Sequence, residues 1–190
     1  MNSHPLSPRD LLPDPARCAL LVVDMQERLS AAMPAESLDS AVRNTLILIE
    51  TAREFNLPVL VSEQYPRGLG HTLPAIRAAL PDNTDLVQKI SFSCCGEPAF
   101  SPLFAQHEVI LCGMETHVCV LQTALDLLAQ GRRVYVAADA VCSRTAANRQ
   151  LGLDLMQQAG AVIGSAEIFA FGLLRAAGSE RFKRISKLVK

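Results

Sequence analysis

The sequence predicts an α/β fold, a doubly wound and mostly parallel sheet of six strands in the order 3-2-1-4-5-6 with helices on both faces. Six short apolar segments alternate along the chain with segments of helical periodicity. The first apolar segment is apolar without a break, as expected of a strand that helices cover on both faces. A chain of 190 residues is long enough for one well-buried domain and short for two.

The elements are predicted in chain order from hydrophobic periodicity and from the glycines and prolines that interrupt it. Residues 1–17 hold four of the eleven prolines and show no periodicity, so we expect an extended N-terminal arm before a single domain of residues 18–190. The strands are expected at 18–24, 58–63, 85–89, 108–113, 133–139 and 161–163. The helices are expected at 38–55, 117–130 and 146–158, with a long loop over 64–84 that holds one turn of helix near 74–80, and a last helix from Ser165.

The composition excludes several classes of function. Apolar residues make up 49% of the chain and charged residues 19%, which predicts a packed core. A formal net charge of −1 argues against nucleic acid or an anionic membrane as the main partner. No apolar run is long enough to span a bilayer, and the first residues lack the apolar stretch of a secretory signal. We therefore expect a cytoplasmic protein that acts on a small molecule.

Six cysteines raise the question of disulfides or zinc. In a cytoplasmic protein of this size reduced thiols are expected, and buried free cysteine is ordinary packing material. Cys94 and Cys95 are adjacent, so they do not form a CxxC redox pair and rarely close an unstrained disulfide. No paired Cys/His spacing of the structural zinc type occurs. We expect no metal and no cofactor.

Reactive side chains follow the predicted strands. Asp24 ends the first strand, Lys89 the third and Asp139 the fifth, and Cys119 lies shortly after the fourth at the start of a helix. Ligands of open α/β sheets bind outside the carboxyl ends of the strands. A thiol at a helix N-terminus is expected to favour its thiolate, with Asp24 as proton acceptor and Lys89 as the cation beside it. Asp139 is interpreted as structural, bonding loop N–H groups. These positions predict a nucleophilic hydrolase.

Two histidines near these residues have weaker assignments. His117 lies two residues before Cys119, and side chains two apart on a helix do not face each other. We expect His117 to line a pocket or cap the helix rather than to act as the base. His71 lies in a glycine-rich loop, where it either meets substrate or is solvated.

With these residues assembled, the chain resembles the isochorismatase-like cysteine hydrolase superfamily. Its sequence motifs are most similar to those of the isochorismatase domain-containing branch. The similarity runs from about Cys18 to Phe171. Its landmarks are LeuLeuValValAspMetGln (20–26), ProValLeuValSerGluGlnTyrProArgGlyLeuGly (58–70), GlnLysIleSerPheSer (88–93), GlyMetGluThrHisValCysVal (113–120) and AlaAlaAspAlaValCysSerArg (137–144).

The resemblance implies a triad of Asp24, Lys89 and Cys119. In that family the aspartate takes the thiol proton, the thiolate attacks a carbonyl carbon, and water releases an acyl-enzyme. The resemblance also implies a non-proline cis peptide at Met114–Glu115 and an oxyanion hole made of the Glu115 and Cys119 N–H groups. The expected reaction is cleavage of a C–N bond in an amide, ureide or carbamoyl compound through a thioester.

Departures from the family matter as well. Nicotinamidases of this family bind a metal through an Asp-x-His pair. This chain has SerGluGlnTyr at 62–65 in place of that pair, so we do not expect a metal site or nicotinamidase activity. True isochorismatases lack the nucleophilic cysteine, so the presence of Cys119 here favours acyl chemistry.

The residues expected to line the substrate pocket are Leu29, Gln64, Tyr65, Phe92 and His117. Many members form dimers or larger assemblies, so we expect a homo-oligomer, a dimer or tetramer, with the arm and residues 168–174 as candidate interfaces.

One geometric question and two other functions stay open at this point. In the predicted strand order Asp24 and Cys119 meet directly, but Lys89 starts two strand spacings away, roughly 10 Å, and its side chain has to close that gap. A second hypothesis is that the chain is a binding or scaffold protein that keeps the fold without catalysis. A third hypothesis is a redox-responsive thiol protein that uses Cys119 and the Cys94–Cys95 pair.

Overall fold

A computed structural model describes residues 7–82, 84–103 and 107–190. Its centre is one six-stranded sheet in the order β3-β2-β1-β4-β5-β6, in which all neighbours pair in parallel. The predicted fold class and strand order are thereby confirmed. The strands are β1 (Cys18–Val23), β2 (Val59–Gln64), β3 (Asp85–Lys89), β4 (Glu108–Met114), β5 (Arg133–Cys142) and β6 (Val162–Gly164).

Helices cover both faces of the sheet. They are α1 (Glu27–Ser30), α2 (Ala35–Phe55), α3 (Pro66–Leu69), α4 (Pro74–Ala79), α5 (Leu121–Ala129), α6 (Ala146–Gln158), α7 (Ala166–Leu174) and α8 (Glu180–Leu188). Alternate residues of β1 belong to two separate apolar clusters, one shared with α2 and α7 and the other with α5 and α6. All six residues of β1 are buried, which explains why this strand is continuously apolar.

Several boundaries differ from the sequence prediction, and α1 and α8 were not predicted. β5 continues to Cys142 instead of stopping at 139, because its pairing with β4 shifts register between Leu111 and Gly113. The loop expected over 64–84 contains the short helix α3, which was not predicted, and α4 lies where a turn of helix was predicted near 74–80. A π-helical turn, Thr116–Val120, precedes α5, so the predicted helix over 117–130 begins irregularly.

The described part of the N-terminal arm packs on the domain. A short 3₁₀ turn at Pro8–Leu11 is followed by extended chain. The Arg175 guanidinium donates to the carbonyl oxygens of Leu12 and Pro13, at 3.2 and 3.0 Å, and the Tyr135 hydroxyl donates to that of Asp10 at 3.1 Å. The predicted interfaces lie on this arm, from residue 7 onward, and on α7, whereas residues 1–6 lie outside the described residues.

Within the described residues, no helix is both long enough and apolar enough to cross a bilayer.

Candidate active site

The carboxyl ends of β1 and β3 bring an acid and an amine together across β2. Lys89 Nζ donates to Asp24 Oδ2 at 2.7 Å, and both side chains are 0% exposed. The long lysine side chain therefore closes the two-strand gap that the sequence left open. A buried ion pair of this kind is stable only when its remaining donors and acceptors are also satisfied.

Asp24 is held by the neighbouring strand β2. Its φ of 49° lies in the left-handed region, and its N–H donates to the Ser62 carbonyl oxygen at 3.1 Å. The Ser62 hydroxyl donates to Asp24 Oδ1 at 2.7 Å, so each carboxylate oxygen has its own donor. Sequence reasoning missed Ser62; the only available signal was a serine that interrupts an apolar strand.

Lys89 is enclosed by four acceptors. Besides Asp24, its Nζ donates to Gln64 Oε1 at 2.8 Å and to the carbonyl oxygens of Phe92 and Ser91 at 2.9 and 3.2 Å. Burial alone would lower the pKa of Lys89, but the adjacent Asp24 charge, with smaller effects of Cys119 and Cys94, keeps it above its ordinary value. The amine is therefore an ammonium at neutral pH.

Cys119 lies in the π-helical turn after β4 and is 5% exposed. Burial raises the pKa of its thiol, the Asp24 charge raises it further, and the Lys89 ammonium opposes both; Asp24 accepts the hydrogen bond of the thiol. Cys119 lies in the helical turn that runs directly into α5, and the raised pKa of its thiol favours the neutral thiol over the thiolate that the sequence led us to expect. Cys119 is therefore a thiol beside the Asp24 carboxylate.

The backbone turn before Cys119 depends on a glycine. Gly113 has a φ of 119°, and a Cβ at this position would lie 1.9 Å from the Val23 carbonyl oxygen. Only glycine combines this conformation with so close an approach of β4 to β1. One residue further on, the Met114–Glu115 peptide bond is cis. The Glu115 carboxylate accepts from the Arg144 side chain and backbone, both at 3.1 Å.

The predicted pocket residues fall into different environments. Gln64 is buried beside Lys89, whereas Tyr65 and Phe92 are each 52% exposed. Leu29, on α1, is partly buried and packs against the apolar cluster of α2. His117 Nδ1 lies 3.0 Å from the Ser143 hydroxyl. Their roles as substrate contacts stay predictions.

A cavity of about 310 Å³ lies beside Lys89, at the edge of the sheet. This volume is at the lower end of the range for small-molecule pockets. Its lining residues are Tyr65, Pro66, Arg67, Gln88, Lys89, Ile90 and Glu97.

His71 and Asp139 act elsewhere. His71 Nδ1 lies 3.2 Å from Glu63 Oε2, and that buried carboxylate also accepts from the N–H and hydroxyl of Thr72, at 2.7 and 2.9 Å. Glu63 thereby holds the loop after β2. Asp139 lies inside β5, and its carboxylate accepts from the Ala166 N–H at 2.8 Å, at the start of α7. The structural interpretation of Asp139 agrees with this contact.

All six cysteines are free. Cys94 is buried near Asp24 and Lys89, and burial together with the Asp24 charge raises the pKa of its thiol to about 12. Its N–H donates to the Thr123 hydroxyl at 3.0 Å. Within the residues that the structure describes, no group of three or more His, Cys, Asp or Glu side chains could hold a metal ion.

Comparison with known sequences identifies the family. A family model described as an isochorismatase domain matches residues 18–168. A secreted isochorismatase effector, Isc1, of Phytophthora sojae is 39% identical over 93% of this chain and 86% of its own length. Isochorismatase domain-containing protein 2 of Rattus norvegicus is 36% identical over 93% of this chain and 82% of its own.

Solved structures show the same fold. The MAR1 ribonuclease of Caenorhabditis elegans superposes with a TM-score of 0.89 at 38% identity, covering 93% of this chain and 91% of that one. The YcaC gene product of Escherichia coli, described as an octameric hydrolase of unknown specificity, superposes with a TM-score of 0.79 at 27% identity. The coverage is 86% of this chain and 82% of that one.

Proposed function

Since the chain belongs to the isochorismatase family, we propose that it is a cysteine hydrolase that cleaves a C–N bond of a small amide, ureide or carbamoyl compound. The observation that carries this proposal is the hydrogen bond of the Cys119 thiol with the Asp24 carboxylate, which Lys89 also holds at 2.7 Å. A nucleophile, its base and a cation that orients the base are thus adjacent.

The first half of the reaction forms a thioester. As the Cys119 sulfur attacks the substrate carbonyl carbon, Asp24 accepts the thiol proton, so that a free thiolate need not accumulate. Charge develops on the substrate oxygen, and the N–H groups of Glu115 and Cys119 are proposed to bind it. Collapse of the tetrahedral intermediate breaks the C–N bond, and Asp24 returns its proton to the departing nitrogen.

The second half releases the product. Water attacks the thioester carbonyl carbon while Asp24 takes its proton, and the same carboxylate then returns that proton to the Cys119 sulfur. The products are a carboxylic or carbamic acid and ammonia or an amine. No step requires a metal ion, because Asp24 moves each proton and backbone N–H groups stabilise the oxyanion.

The surroundings of the site support a small, mostly neutral substrate. Lys89 is already surrounded by four acceptors, so no donor remains on it for a substrate carboxylate. The half-exposed rings of Tyr65 and Phe92 offer apolar contact area at the entrance that we propose for the substrate pocket. Leu29 and His117 stay proposed pocket residues.

Other activities give different outcomes. A solved relative is named a ribonuclease, which makes RNA a candidate substrate. The buried Lys89 and the formal net charge of −1 argue against a phosphate-binding site of that kind. For the scaffold hypothesis, an intact Asp24–Lys89–Cys119 set would have no purpose. The redox hypothesis requires an accessible thiol pair, but Cys94 is buried.

Assembly and location are proposed more broadly. The YcaC relative is described as octameric, which supports a homo-oligomer here, and the described part of the arm and α7 remain our proposed interface. We keep a cytoplasmic location as a proposal, although one relative is named as secreted.

The experiment is a screen of small amides, ureides and an oligoribonucleotide with the wild-type chain, Cys119→Ala and Cys95→Ala. Ammonia or amine release should fall at least about 10³-fold in Cys119→Ala, since the nucleophile is gone, and stay unchanged in Cys95→Ala. Intact-mass analysis during turnover should show the mass of an acyl group on wild-type protein only.

Equal C–N cleavage in Cys119→Ala would contradict nucleophilic catalysis. RNA cleavage without any C–N cleavage would replace the proposed substrate class. A reversible disulfide after mild peroxide, with no turnover of any amide, would favour the redox hypothesis.

A further inference from the structure

The side-chain amide of Gln64 is fully used inside the protein. Its Oε1 accepts from Lys89 Nζ at 2.8 Å and its Nε2 donates to the Ile90 carbonyl oxygen at 2.7 Å. An ammonium only donates and a carbonyl only accepts, so the amide has one possible orientation. Gln64 is also buried, which leaves little of it for a substrate.

Gln64 is itself fixed by a second glutamine. Its N–H donates to Gln26 Oε1 at 2.7 Å, and Gln26 Nε2 donates to the Gln64 carbonyl oxygen at 3.0 Å. Gln26 Nε2 also donates to the Gly70 carbonyl oxygen at 2.7 Å, and Gln26 is fully buried. The end of β2 is therefore tied to the segment after β1 before it reaches Lys89.

The contact between Gln64 and Lys89 places an uncharged amide oxygen against a buried ammonium. Of the four acceptors on Lys89, Asp24 carries a charge, two are carbonyls of the loop that follows Lys89, and Gln64 comes from the adjacent strand. An oxygen that accepts from an ammonium stabilises its charged form against burial. That charge in turn lowers the pKa of the Cys119 thiol.

We propose that Gln64 is a positioning residue, which holds Lys89 as a fixed ammonium between Asp24 and Cys119 through its Oε1 rather than contacting substrate. The inference deepens the proposed hydrolase and rests on it for its purpose. Gln64 acts on the thiol only through Lys89.

The experiment compares Gln64→Met, Gln64→Glu and a remote control, Gln150→Met, on α6. Gln150 is exposed and bonds only Asp154, at 2.7 Å, so its change matches Gln64→Met without touching the site. Methionine removes both the acceptor and the donor. Glutamate keeps the acceptor for Lys89 and loses the donor to Ile90.

The first readout is the ¹⁵Nζ ammonium signal of Lys89 by NMR. The chain has only four lysines, and Lys89→Arg assigns the signal by its disappearance. A buried, hydrogen-bonded ammonium exchanges its protons slowly and gives a signal at neutral pH. We expect this signal in wild type, Gln150→Met and Gln64→Glu, and its loss in Gln64→Met.

The second readout is alkylation of Cys119 by iodoacetamide at pH 8, followed by peptide mass spectrometry. In Gln64→Met we expect a rate about threefold to tenfold below that of Gln150→Met, because a less well-held ammonium lowers the thiol pKa less. Circular dichroism melting of each variant checks that it is folded.

Three outcomes would overturn the proposal. The wild type shows no slowly exchanging Lys89 ammonium, which needs no variant to fold. Folded Gln64→Met keeps both the signal and the control alkylation rate. In the third outcome, both variants at position 64 lose the signal alike. That result would mean that Gln64 matters through its hydrogen bond to Ile90 and not through its contact with Lys89. None of these measurements uses a substrate, so failure of the hydrolase proposal in the turnover assay is seen separately.

Discussion

The two ends of the sheet carry similar sets of residues in different surroundings. At the carboxyl end, Asp24, Lys89 and Cys119 are together; at the amino end, Glu108 accepts from Arg17 at 2.6 Å and from Arg133 at 3.2 Å, beside the thiol of Cys18. Burial, and then the Glu108 charge, raise the pKa of Cys18 as burial and Asp24 do for Cys119. Both ends of the sheet thus carry a buried carboxylate, a cation and a thiol, but we propose a catalytic role for the carboxyl end alone.

The difference lies in exposure and in backbone geometry. The Lys89 side chain is 0% exposed, whereas the side chains of Arg17 and Arg133 are 50% and 26% exposed, so water screens the amino-end cluster. Cys18 lies inside β1 and donates to a backbone oxygen of its own strand, at 3.6 Å. Cys119 stands in an irregular turn beyond the end of β4. Asp14 N–H donates to Glu108 at 2.7 Å, which indicates that the amino-end cluster anchors the arm.

The largest expected effect is on turnover, and it distinguishes the Asp24 carboxylate from that of Glu108. Asp24→Asn should lower turnover about 10²- to 10⁴-fold, because it removes the general base. The same variant should be alkylated faster at Cys119 at pH 7, since the charge that raises the thiol pKa is gone while Lys89 remains. Peptide mapping after timed iodoacetamide treatment measures this rate. Slower alkylation in Asp24→Asn would show that the carboxylate activates the resting thiol instead.

The second prediction separates the two sets of cations by stability. Lys89→Met leaves a buried carboxylate without its cation and should lower the free energy of unfolding by about 3–5 kcal/mol. Arg17→Met removes a half-exposed partner and should cost about 1 kcal/mol or less. Urea unfolding of both variants gives the comparison. Equal losses would mean that the enclosure of the Asp24–Lys89 pair has no energetic consequence.

The third prediction tests the anchoring role at the amino end. Glu108→Gln should lower the free energy of unfolding by about 1–3 kcal/mol, because its charged hydrogen bonds to Arg17, Arg133 and the arm are weakened. Limited proteolysis should then cut within residues 7–17 more readily than in wild type. Turnover and the alkylation rate of Cys119 should match wild type. A loss of turnover in a folded Glu108→Gln protein would connect the two ends.

The last prediction concerns Glu63, a buried carboxylate held mainly by neutral donors, whose effect fades as the pH falls. Burial alone would raise the pKa of Glu63, but the Thr72 N–H and hydroxyl, with His71, hold it below its ordinary value. A lowered pKa stabilises the fold above the unfolded value of about 4.3, and this stability is lost as the pH falls through the folded value. Glu63→Gln should therefore cost about 1–3 kcal/mol at pH 7 and progressively less between about pH 5 and pH 3.

Unfolding midpoints of wild type and Glu63→Gln over that pH range measure the effect. A difference that grows toward low pH has the wrong sign and would mean that Glu63 is held in its protonated form.

Much of the architecture was predictable because it follows from periodicity. The helix α2 ends at Phe55, and Asn56 after it takes a left-handed φ of 54°, as the sequence AsnLeuPro indicates. The β5 boundary was not predictable, since it depends on a register shift against β4. Similarly, α3 lies in a stretch whose glycines and prolines are typical of a loop.

The site was predictable only in part. Asp24, Lys89 and Cys119 were found because parallel strands deliver their carboxyl ends to one edge of the sheet. Ser62 and Gln64 were not recognised as their partners. Ser62 lies 38 positions from Asp24 and Gln64 lies 25 from Lys89, so no local pattern connects them.

The sequence by itself determined the fold class, the strand order and which acid, amine and thiol come to the same edge. Local residue spacing decides these, because it sets each element and its buried face. Only the tertiary structure decided the resting charge of the site. A thiol at Cys119 and an ammonium at Lys89 follow from burial and from contacts a few ångströms long, which form between distant segments once the sheet is assembled.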